Sequence, residues 1–255
     1  MSGYVEMGEV VRNVQIGADV WMIDVYAPKQ AAEAKVGQFC NVRVTNGSAP
    51  LLRRPISYAG FDAEKGTVTL LYRVVGTGTE LMTHLVAGGT LDCLGPLGKP
   101  FKTTPNMLLV GGGVGIAPML CIASNLQEGE RAQVILGFRN KSETFWADLF
   151  TDTSVEVHIT TDDGSVGTKG FPTAIMPELI EYTDFTSIMT CGPTPMMKGV
   201  AAVAKEYGVP CQVSLEERMG CGTGGCLGCS CNGANNKRYK VCTDGPVFPA
   251  EEVFF

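Results

Sequence analysis

The feature that most constrains this chain is a run of closely spaced cysteines near its end, CGTGGCLGCSC, from Cys221 to Cys231. Three kinds of structure use cysteines at this density: a disulfide-linked clasp, a zinc site and an iron–sulfur cluster. The chain has ten cysteines, and its start, MSGYVEMGEV, carries no secretion signal. We therefore expect a cytoplasmic protein whose cysteines are thiols or metal ligands rather than disulfides.

The spacing of these cysteines favours iron and sulfur over zinc. Cys221, Cys226 and Cys229 are separated by four and then two residues, as in plant-type two-iron clusters, whose fourth ligand is more distant. Structural zinc more often uses two C-x2-C pairs, and only one is present. The sequence predicts a [2Fe-2S] cluster with Cys242 as the fourth ligand and Cys231 left over, and zinc is the alternative.

The first hundred residues have the pattern of a small β-domain. Short apolar, β-branched stretches alternate with Gly, Pro, Asn and Asp, and they are WMIDVYAP, FCNVRVT, GTVTLLYRVV and GGTLDCLGP. One short helix is predicted at Thr79–Val86. Strands at this spacing are typical of an antiparallel barrel. We assign residues 1–102 to this barrel.

Residues 103–212 alternate between strands and helices, which predicts a doubly wound parallel sheet. The predicted strands are NMLLVGGG, QVILGFRN, VEVHITTDD and TSIMTCGP, with CQVSLEERM after them. The predicted helices cover Ile116–Leu126, Phe145–Phe150, Thr173–Tyr182 and Pro195–Tyr207. The fold class is therefore multidomain, β followed by α/β, with a small iron–sulfur domain at 213–255.

Two motifs of the α/β region indicate nucleotide binding. GGGVGIAPML follows a predicted strand and opens a helix, a context in which backbone N–H groups bind phosphate. Its spacing departs from G-x-G-x-x-G because Ile116 stands where the third glycine would be. A tight turn without ligand is the alternative. The candidate residues for binding NAD are Gly111, Gly113 and Gly115 in this turn, and Cys191, Gly192 and Pro193 at a later strand end.

The β-region carries a candidate flavin site. In LLRRPISYAG the guanidinium of Arg54 can hold a pyrophosphate and the hydroxyl of Ser57 can bond a flavin nitrogen. Leu71, Tyr72 and Arg73 end a strand, and Gly78-Thr79 opens a helix, which is a second place for a phosphate. For Arg54 the alternative is a solvated strand arginine.

The order of these motifs resembles the ferredoxin-reductase superfamily over about the first 210 residues. The resemblance implies an FAD-binding barrel joined to an NAD(P)-binding α/β domain. It assigns FAD to Arg54, Pro55, Ile56, Ser57, Leu71, Tyr72, Arg73, Gly78 and Thr79. Ile56 departs from the pattern, because many members have a tyrosine there that stacks on the flavin. Tyr58 and Tyr72 are the candidates for a replacement ring.

Nearly the whole chain resembles the electron-transfer subunits of NAD-linked dihydroorotate dehydrogenases. The similar segments include LLRRPISYAG, LYRVVGTGTE, LGPLGKPF, GGGVGIAPM, CGPTPMMK, LEERMGCGTGGCLGCSC and VCTDGPVF. The resemblance implies a heterotetramer of two such chains with two FMN-bearing catalytic subunits, acting in pyrimidine biosynthesis. Electrons from dihydroorotate would pass from the FMN through the cluster and FAD to NAD+. We expect no catalytic acid or base on this chain.

Other assignments compete with this one. A flavin and iron–sulfur subunit of a bifurcating ferredoxin oxidoreductase or of a cytoplasmic hydrogenase has the same modules. A zinc-binding scaffold that carries no flavin and only assembles a complex is an alternative from another functional class. Arg139 follows a predicted strand where NADP would place its 2′-phosphate, and no acidic residue stands at that strand end in the sequence, although the resemblance favours NAD. A net charge of −6 without a basic run argues against nucleic acid or an anionic membrane.

Overall fold

Six strands from the first hundred residues close into a barrel in which every neighbouring pair is antiparallel. The computed structural model describes residues 3–45 and 47–255 of the chain. The strands are β1 (Tyr4–Gln15), β2 (Val20–Tyr26), β3 (Phe39–Arg43), β4 (Arg54–Asp62), β5 (Thr67–Arg73) and β6 (Thr90–Leu97). Around the barrel they follow the order β1-β2-β5-β4-β3-β6. The predicted antiparallel barrel is confirmed.

The sequence pattern misses the first strand of this barrel. Val5, Met7 and Val11 of β1 are each at least 50% exposed whereas Val10 is fully buried, so most of its apolar side chains face solvent and do not mark a buried face. The strand forms because β2 and β6 hydrogen-bond to it on either side. Two short helices complete the barrel, α1 (Pro28–Glu33), which the sequence analysis does not predict, and α2 (Thr77–Thr83), which begins and ends before the predicted Thr79–Val86.

A charged pair ties the start of β4 to β6. Arg53 Nη1 donates to Asp92 Oδ1 at 2.8 Å, and Nη2 donates to Asp92 Oδ2 at 2.9 Å. Nη1 also donates to the backbone carbonyls of Asn41 and Asp92. Both side chains are mostly shielded from water, so this bidentate pair is stronger than an ordinary surface ion pair.

The α/β region builds a seven-stranded sheet. Its strands are β7 (Asn106–Gly112), β8 (Arg131–Phe138), β9 (Glu156–Thr161), β10 (Thr168–Lys169), β11 (Ser187–Cys191), β12 (Cys211–Ser214) and, after two short strands described below, β15 (Val247–Pro249). Their order is β10-β9-β8-β7-β11-β12-β15, and all pairs are parallel except β12 with β15. The central strands are buried, as expected for a sheet covered on both faces.

The helices of this region agree only partly with their prediction. Helix α3 (Ile116–Ala123) starts where predicted, and α5 (Thr194–Glu206) lies within one residue of it at both ends. Helix α4 (Met176–Tyr182) starts three residues late, because a 3-10 turn, Pro172–Ala174, precedes it. The helical stretch predicted at Phe145–Phe150 is the second half of a 3-10 helix, Lys141–Phe150, which is opened by the Asn140 side chain accepting from Ser142 N.

The tail of the chain is shared between two compact units. One unit contains the residues up to Pro100, Glu216–Cys231 and Arg238–Pro246, and the other contains Phe101–Leu215, Asn232–Lys237 and Val247–Phe255. Two short strands, β13 (Ser230–Asn232) and β14 (Arg238–Lys240), pair within the tail, and α6 (Ala250–Val253) follows β15. The division into domains 1–102, 103–212 and 213–255 stays a prediction. Within the described ranges, no helix is both long and apolar enough to cross a bilayer.

We expect Asp92→Asn to lower the free energy of unfolding of the full chain by about 2 kcal/mol, because it removes the charge that Arg53 faces in a half-buried pair. Urea unfolding followed by circular dichroism measures the change. Asp62→Asn is the control, since its ion pair with Lys65 is exposed and its loss should leave the urea midpoint unchanged. Equal midpoints for the two variants would contradict the structural role of Asp92.

Candidate functional site

The predicted nucleotide motifs meet at the centre of the parallel sheet. From β7 the chain adds β8, β9 and β10 on one side and later β11 and β12 on the other, so β7 and β11 flank the topological switch point. Ligands of open α/β sheets bind at the carboxyl ends of such strands. The glycine turn follows β7 there, and Cys191 at the end of β11 is in register with Gly111.

Close packing joins the two motifs. A β-carbon placed on Gly115 would collide with the peptide between Cys191 and Gly192, and one on Gly112 would lie 2.7 Å from Met196 Sδ. Gly113 has φ +57, which a larger residue adopts only with strain. Neither α3 nor α5 has a side-chain cap at its start, although the N–H of Ile116 bonds back to Gly113 O and Pro118 and Pro195 lack an N–H.

A carboxylate that was not predicted from the sequence, that of Glu143, lies at the end of β8. Glu143 Oε2 accepts a hydrogen bond from the backbone N–H of Arg139 at 3.2 Å. The expectation that no acidic group is at this strand end is therefore wrong, because the 3-10 helix folds Glu143 back over it. A carboxylate can bond a ribose 2′-hydroxyl and repels a 2′-phosphate, so this arrangement favours NAD.

The flavin motifs of the barrel also converge. The guanidinium of Arg54 lies directly against Gly78, where a β-carbon would overlap it, and donates to the backbone carbonyl of Leu52. A strand arginine and the start of α2 are thus in contact although 24 residues separate them in sequence. The hydroxyl of Thr79 donates to Gly76 O and accepts from Val75 N, which fixes the turn beside this guanidinium.

The two consecutive arginines have different roles. Arg53 is engaged by Asp92, whereas among the described residues no carboxylate forms an ion pair with Arg54. A guanidinium that is partly buried without a counter-charge suits a ligand that brings its own negative charge. The arrangement supports Arg54 as the residue that holds a pyrophosphate.

The other predicted flavin residues divide between the surface and the interior. Pro55 and Ser57 are partly exposed, while Ile56 is 7% exposed and Tyr58 is fully buried. The hydroxyl of Tyr58 donates to Gln30 Oε1 at 2.7 Å, inside the barrel. Tyr58 is therefore not available to replace the missing stacking tyrosine.

The end of β5 places its three predicted residues in fixed positions. Leu71 and Tyr72 are each 3% exposed, and the phenol of Tyr72 lies 3.1 Å from Asn13 Oδ1. Burial raises the pKa of Tyr72 to about 12. Arg73 Nε lies 3.2 Å from Asp19 Oδ2. These three side chains form contacts within the barrel. If this strand end binds a flavin, its backbone groups would therefore form most of the contacts.

The four predicted cluster cysteines come together as two pairs. Cys221 and Cys226 each accept a backbone N–H from the other at 3.4 Å and lie toward solvent. Cys229 and Cys242 are buried, and the N–H of Cys242 donates to Cys229 Sγ at 3.4 Å. A two-iron cluster binds two cysteines at each iron, which matches this pairing.

Backbone donors surround the sulfur atoms of the outer pair. Thr223 N donates to Cys221 Sγ and Gly228 N donates to Cys226 Sγ, each at 3.4 Å. The hydrogen bond from Thr223 is the largest of the effects that lower the pKa of Cys221 to about 6. These donors favour the thiolate form of Cys221, which is the form that binds iron.

A turn that the sequence analysis overlooked brings Cys242 to the loop. Lys240 N donates to Asp244 Oδ2 at 2.7 Å, and Asp244 N donates back to Lys240 O. Val241 N donates to Cys229 O at 3.0 Å. The short-range signal was KVCTDG, in which an aspartate can close a turn around the cysteine.

The sulfur positions are compatible with the predicted two-iron cluster. Two separate pairs with several N–H donors fit a [2Fe-2S] cluster held by Cys221, Cys226, Cys229 and Cys242, and Cys231 lies apart in β13.

Comparisons with known protein families agree with these sites. Residues 216–254 match the iron-sulfur cluster binding domain of dihydroorotate dehydrogenase B. Residues 109–202 match the oxidoreductase NAD-binding domain. The chain is 40% identical over 253 residues to the dihydroorotate dehydrogenase B (NAD(+)), electron transfer subunit, of Shouchella clausii (strain KSM-K16), with 96% of each chain covered.

Solved structures extend the similarity. One, reported for flavin-based electron bifurcation by an NADH-dependent reduced ferredoxin-NADP oxidoreductase, has a TM-score of 0.87 and 36% identity, covering 97% of this chain and 90% of that one. The ferredoxin NADP+ reductase of Neisseria gonorrhoeae with bound FAD and NADP shares the fold at a TM-score of 0.65 and 16% identity, covering 80% and 92%. The predicted fold class is confirmed.

We expect Cys229→Ser to abolish the visible absorption of the cluster, because Cys229 contributes to the buried pair, and Cys231→Ser to leave it intact. Absorption spectra and electron paramagnetic resonance of the reduced protein measure this. The two variants are matched, since they change neighbouring cysteines in the same loop. If Cys231→Ser lost the cluster and Cys229→Ser retained it, Cys231 and not Cys229 would be the ligand.

We expect Arg54→Gln to weaken FAD binding by roughly 10- to 100-fold, the effect of losing one charge-assisted interaction. Flavin retained after gel filtration, and titration of the flavin-free protein with FAD, measure the change. Arg12→Gln is the control, because Arg12 is an exposed barrel arginine paired with Asp24. Equal FAD affinity in both variants would show that Arg54 does not hold the pyrophosphate.

Proposed function

The chain belongs to the family of dihydroorotate dehydrogenase B electron-transfer subunits, and we propose that it carries electrons between a partner that oxidises dihydroorotate and NAD+. The observation that carries this proposal is the paired-cysteine loop with its N–H···S bonds, in one chain with a flavin barrel and a nicotinamide sheet. Each module is common, but their combination is a complete route for electrons.

The three cofactors differ in the number of electrons that they exchange in one step. A nicotinamide exchanges a hydride, which is an electron pair, whereas a two-iron cluster accepts one electron at a time, and a bound flavin exchanges electrons with both. FAD therefore belongs between NAD and the cluster. The cluster is the point at which single electrons enter or leave the chain.

The residues of this chain bind, orient and tune these groups. The guanidinium of Arg54 against Gly78 would neutralise the FAD pyrophosphate, and the glycine turn after β7 would hold the NAD phosphates with backbone N–H groups. The N–H groups of Thr223 and Gly228 point at cysteine sulfurs and stabilise added negative charge when the cluster is reduced. No side chain of this chain needs to move a proton for that role.

The partner would hold the dihydroorotate site and an FMN. Cys226 and the neighbouring Leu227 are exposed at the cluster loop, so an electron donor can approach there. The assembly that follows from the family resemblance contains two of these chains and two catalytic subunits. It would work in the cytoplasm, in pyrimidine biosynthesis.

A second candidate function has its own support. The 36% identity and TM-score of 0.87 to the structure reported for electron bifurcation are close to the similarity with the curated subunit. In that alternative the same chain would serve as the NAD-binding flavin subunit beside an iron–sulfur-rich partner. The cofactor sites of this chain are the same in both cases, so the partner decides between them.

Co-expression with a candidate FMN subunit tests the proposal. We expect dihydroorotate to reduce NAD+ only when both chains are present, and the FMN subunit alone to reduce a dye but not NAD+. Mass photometry of the purified complex measures whether two copies of each chain assemble. The matched control replaces this chain with its Cys229→Ser variant, which should retain FAD and lose the activity.

Two results would contradict the proposal. NAD+ reduction by the FMN subunit alone would show that electrons do not pass through this chain. Co-purification with an iron–sulfur-rich partner, together with no activity on dihydroorotate, would favour the bifurcating alternative.

A further inference from the structure

A buried polar side chain beside the cysteine loop has no partner. Asn41 of β3 is 0% exposed, and among the described residues neither its Nδ2 nor its Oδ1 has a hydrogen-bond partner. Leaving a buried amide unpaired costs about 1–3 kcal/mol per group. An asparagine at this place therefore lowers the stability of the fold unless a group outside the polypeptide forms a hydrogen bond with its side chain.

The position of Asn41 shows which cofactors are near. Its direct neighbour on β4 is Pro55, and the next pair on the same face is Phe39 with Ser57, so two of the proposed flavin residues, Pro55 and Ser57, share this face of the barrel with Asn41. Cys40 and Val42 alternate to the opposite face. The amide thus lies beside the strand that carries the proposed flavin residues.

The cysteine loop covers the same amide. Gly222 has φ +74, and a β-carbon placed on it would lie 2.6 Å from Asn41 Nδ2. Gly222 directly follows Cys221, whose sulfur already accepts two backbone N–H bonds. The glycine allows the loop to approach the amide nitrogen, which is a donor and cannot accept.

A second unpaired donor lines the same loop. Thr243 Oγ1 is buried without a partner, and a β-carbon on Gly224 would lie 3.4 Å from it. Two unpaired donors at neighbouring points of one cysteine loop indicate acceptors that the polypeptide does not supply. The sulfur atoms of a cluster are such acceptors.

We propose that the Asn41 carboxamide donates a hydrogen bond from Nδ2 to a sulfur of the cluster on the Cys221 side and thereby raises the reduction potential of that cluster. The inference rests on the proposed cluster of this chain. A donor aimed at sulfur stabilises the reduced state, which carries one more negative charge, more than the oxidised state. Asn41 would thus set the electron affinity of the cluster from the barrel side.

Potentials measured on the full chain, loaded with FAD and cluster, test the proposal. Redox titration followed by electron paramagnetic resonance should show a more negative cluster potential in Asn41→Leu, which keeps the volume and removes the donor. Asn41→Asp should shift it further, because it adds a negative charge. The control is Thr160→Val, which removes another buried unpaired hydroxyl, on β9 of the other compact unit, and should leave the cluster potential unchanged.

Isotope labelling of the unaltered chain gives a readout that does not depend on folding of the variants. Protein containing asparagine labelled with 15N in the side-chain amide should show a 15N coupling to the reduced cluster in pulsed electron paramagnetic resonance. That coupling should disappear in Asn41→Leu.

The outcomes separate this inference from the proposed function. A cluster signal with unchanged potential in both Asn41 variants and no 15N coupling overturns the role of Asn41 and leaves the function standing. A shift of the flavin potential without one of the cluster also overturns it. A chain that binds no cluster in its unaltered form overturns both.

Discussion

Hydrogen bonds from backbone N–H groups to cysteine sulfur are the interaction on which this chain's role depends. A thiolate-ligated cluster concentrates negative charge, and each N–H directed at sulfur stabilises it without adding a side chain. The loop achieves this with glycines around the outer pair, Cys221 and Cys226, and with a turn that brings Cys242 N to Cys229 Sγ. A single electron can therefore be held at a defined place near the surface, where a partner can reach it.

The barrel and the sheet each contain a proposed phosphate-binding site. Each brings together two motifs that are far apart in sequence, and in each the contact is close enough that glycine is required at Gly78 or Gly115. At the barrel we propose that the charge comes from Arg54, because Arg53 is already paired with Asp92. At the sheet we propose that it comes from backbone N–H groups of the glycine turn after β7. On this proposal a side chain holds one nucleotide and the backbone holds the other.

Many strands and helices of this fold could be predicted from the sequence. The features that could not be predicted depend on contacts between residues that are not neighbours along the chain. The central strands and α3 were predicted because buried strands and helices carry continuous or periodic apolar runs. Strand β1 was missed because Val5, Met7 and Val11 face solvent and part of its hydrogen bonding is to the distant strand β6. Glu143 was missed at the end of β8 because a 3-10 helix returns it there from five residues further along the chain.

The sequence by itself determined the chemistry of this protein: cysteine spacing suited to two irons, a glycine turn for a nucleotide, and an arginine–serine strand for a flavin. These follow from local spacing, because loops and turns are built from consecutive residues. Only the tertiary structure decided which of two adjacent arginines pairs with Asp92, that the cysteines form two pairs, and that the Asn41 side chain has no hydrogen-bond partner and lies against Gly222. Those facts depend on contacts between distant residues, which folding creates and which spacing along the chain does not encode.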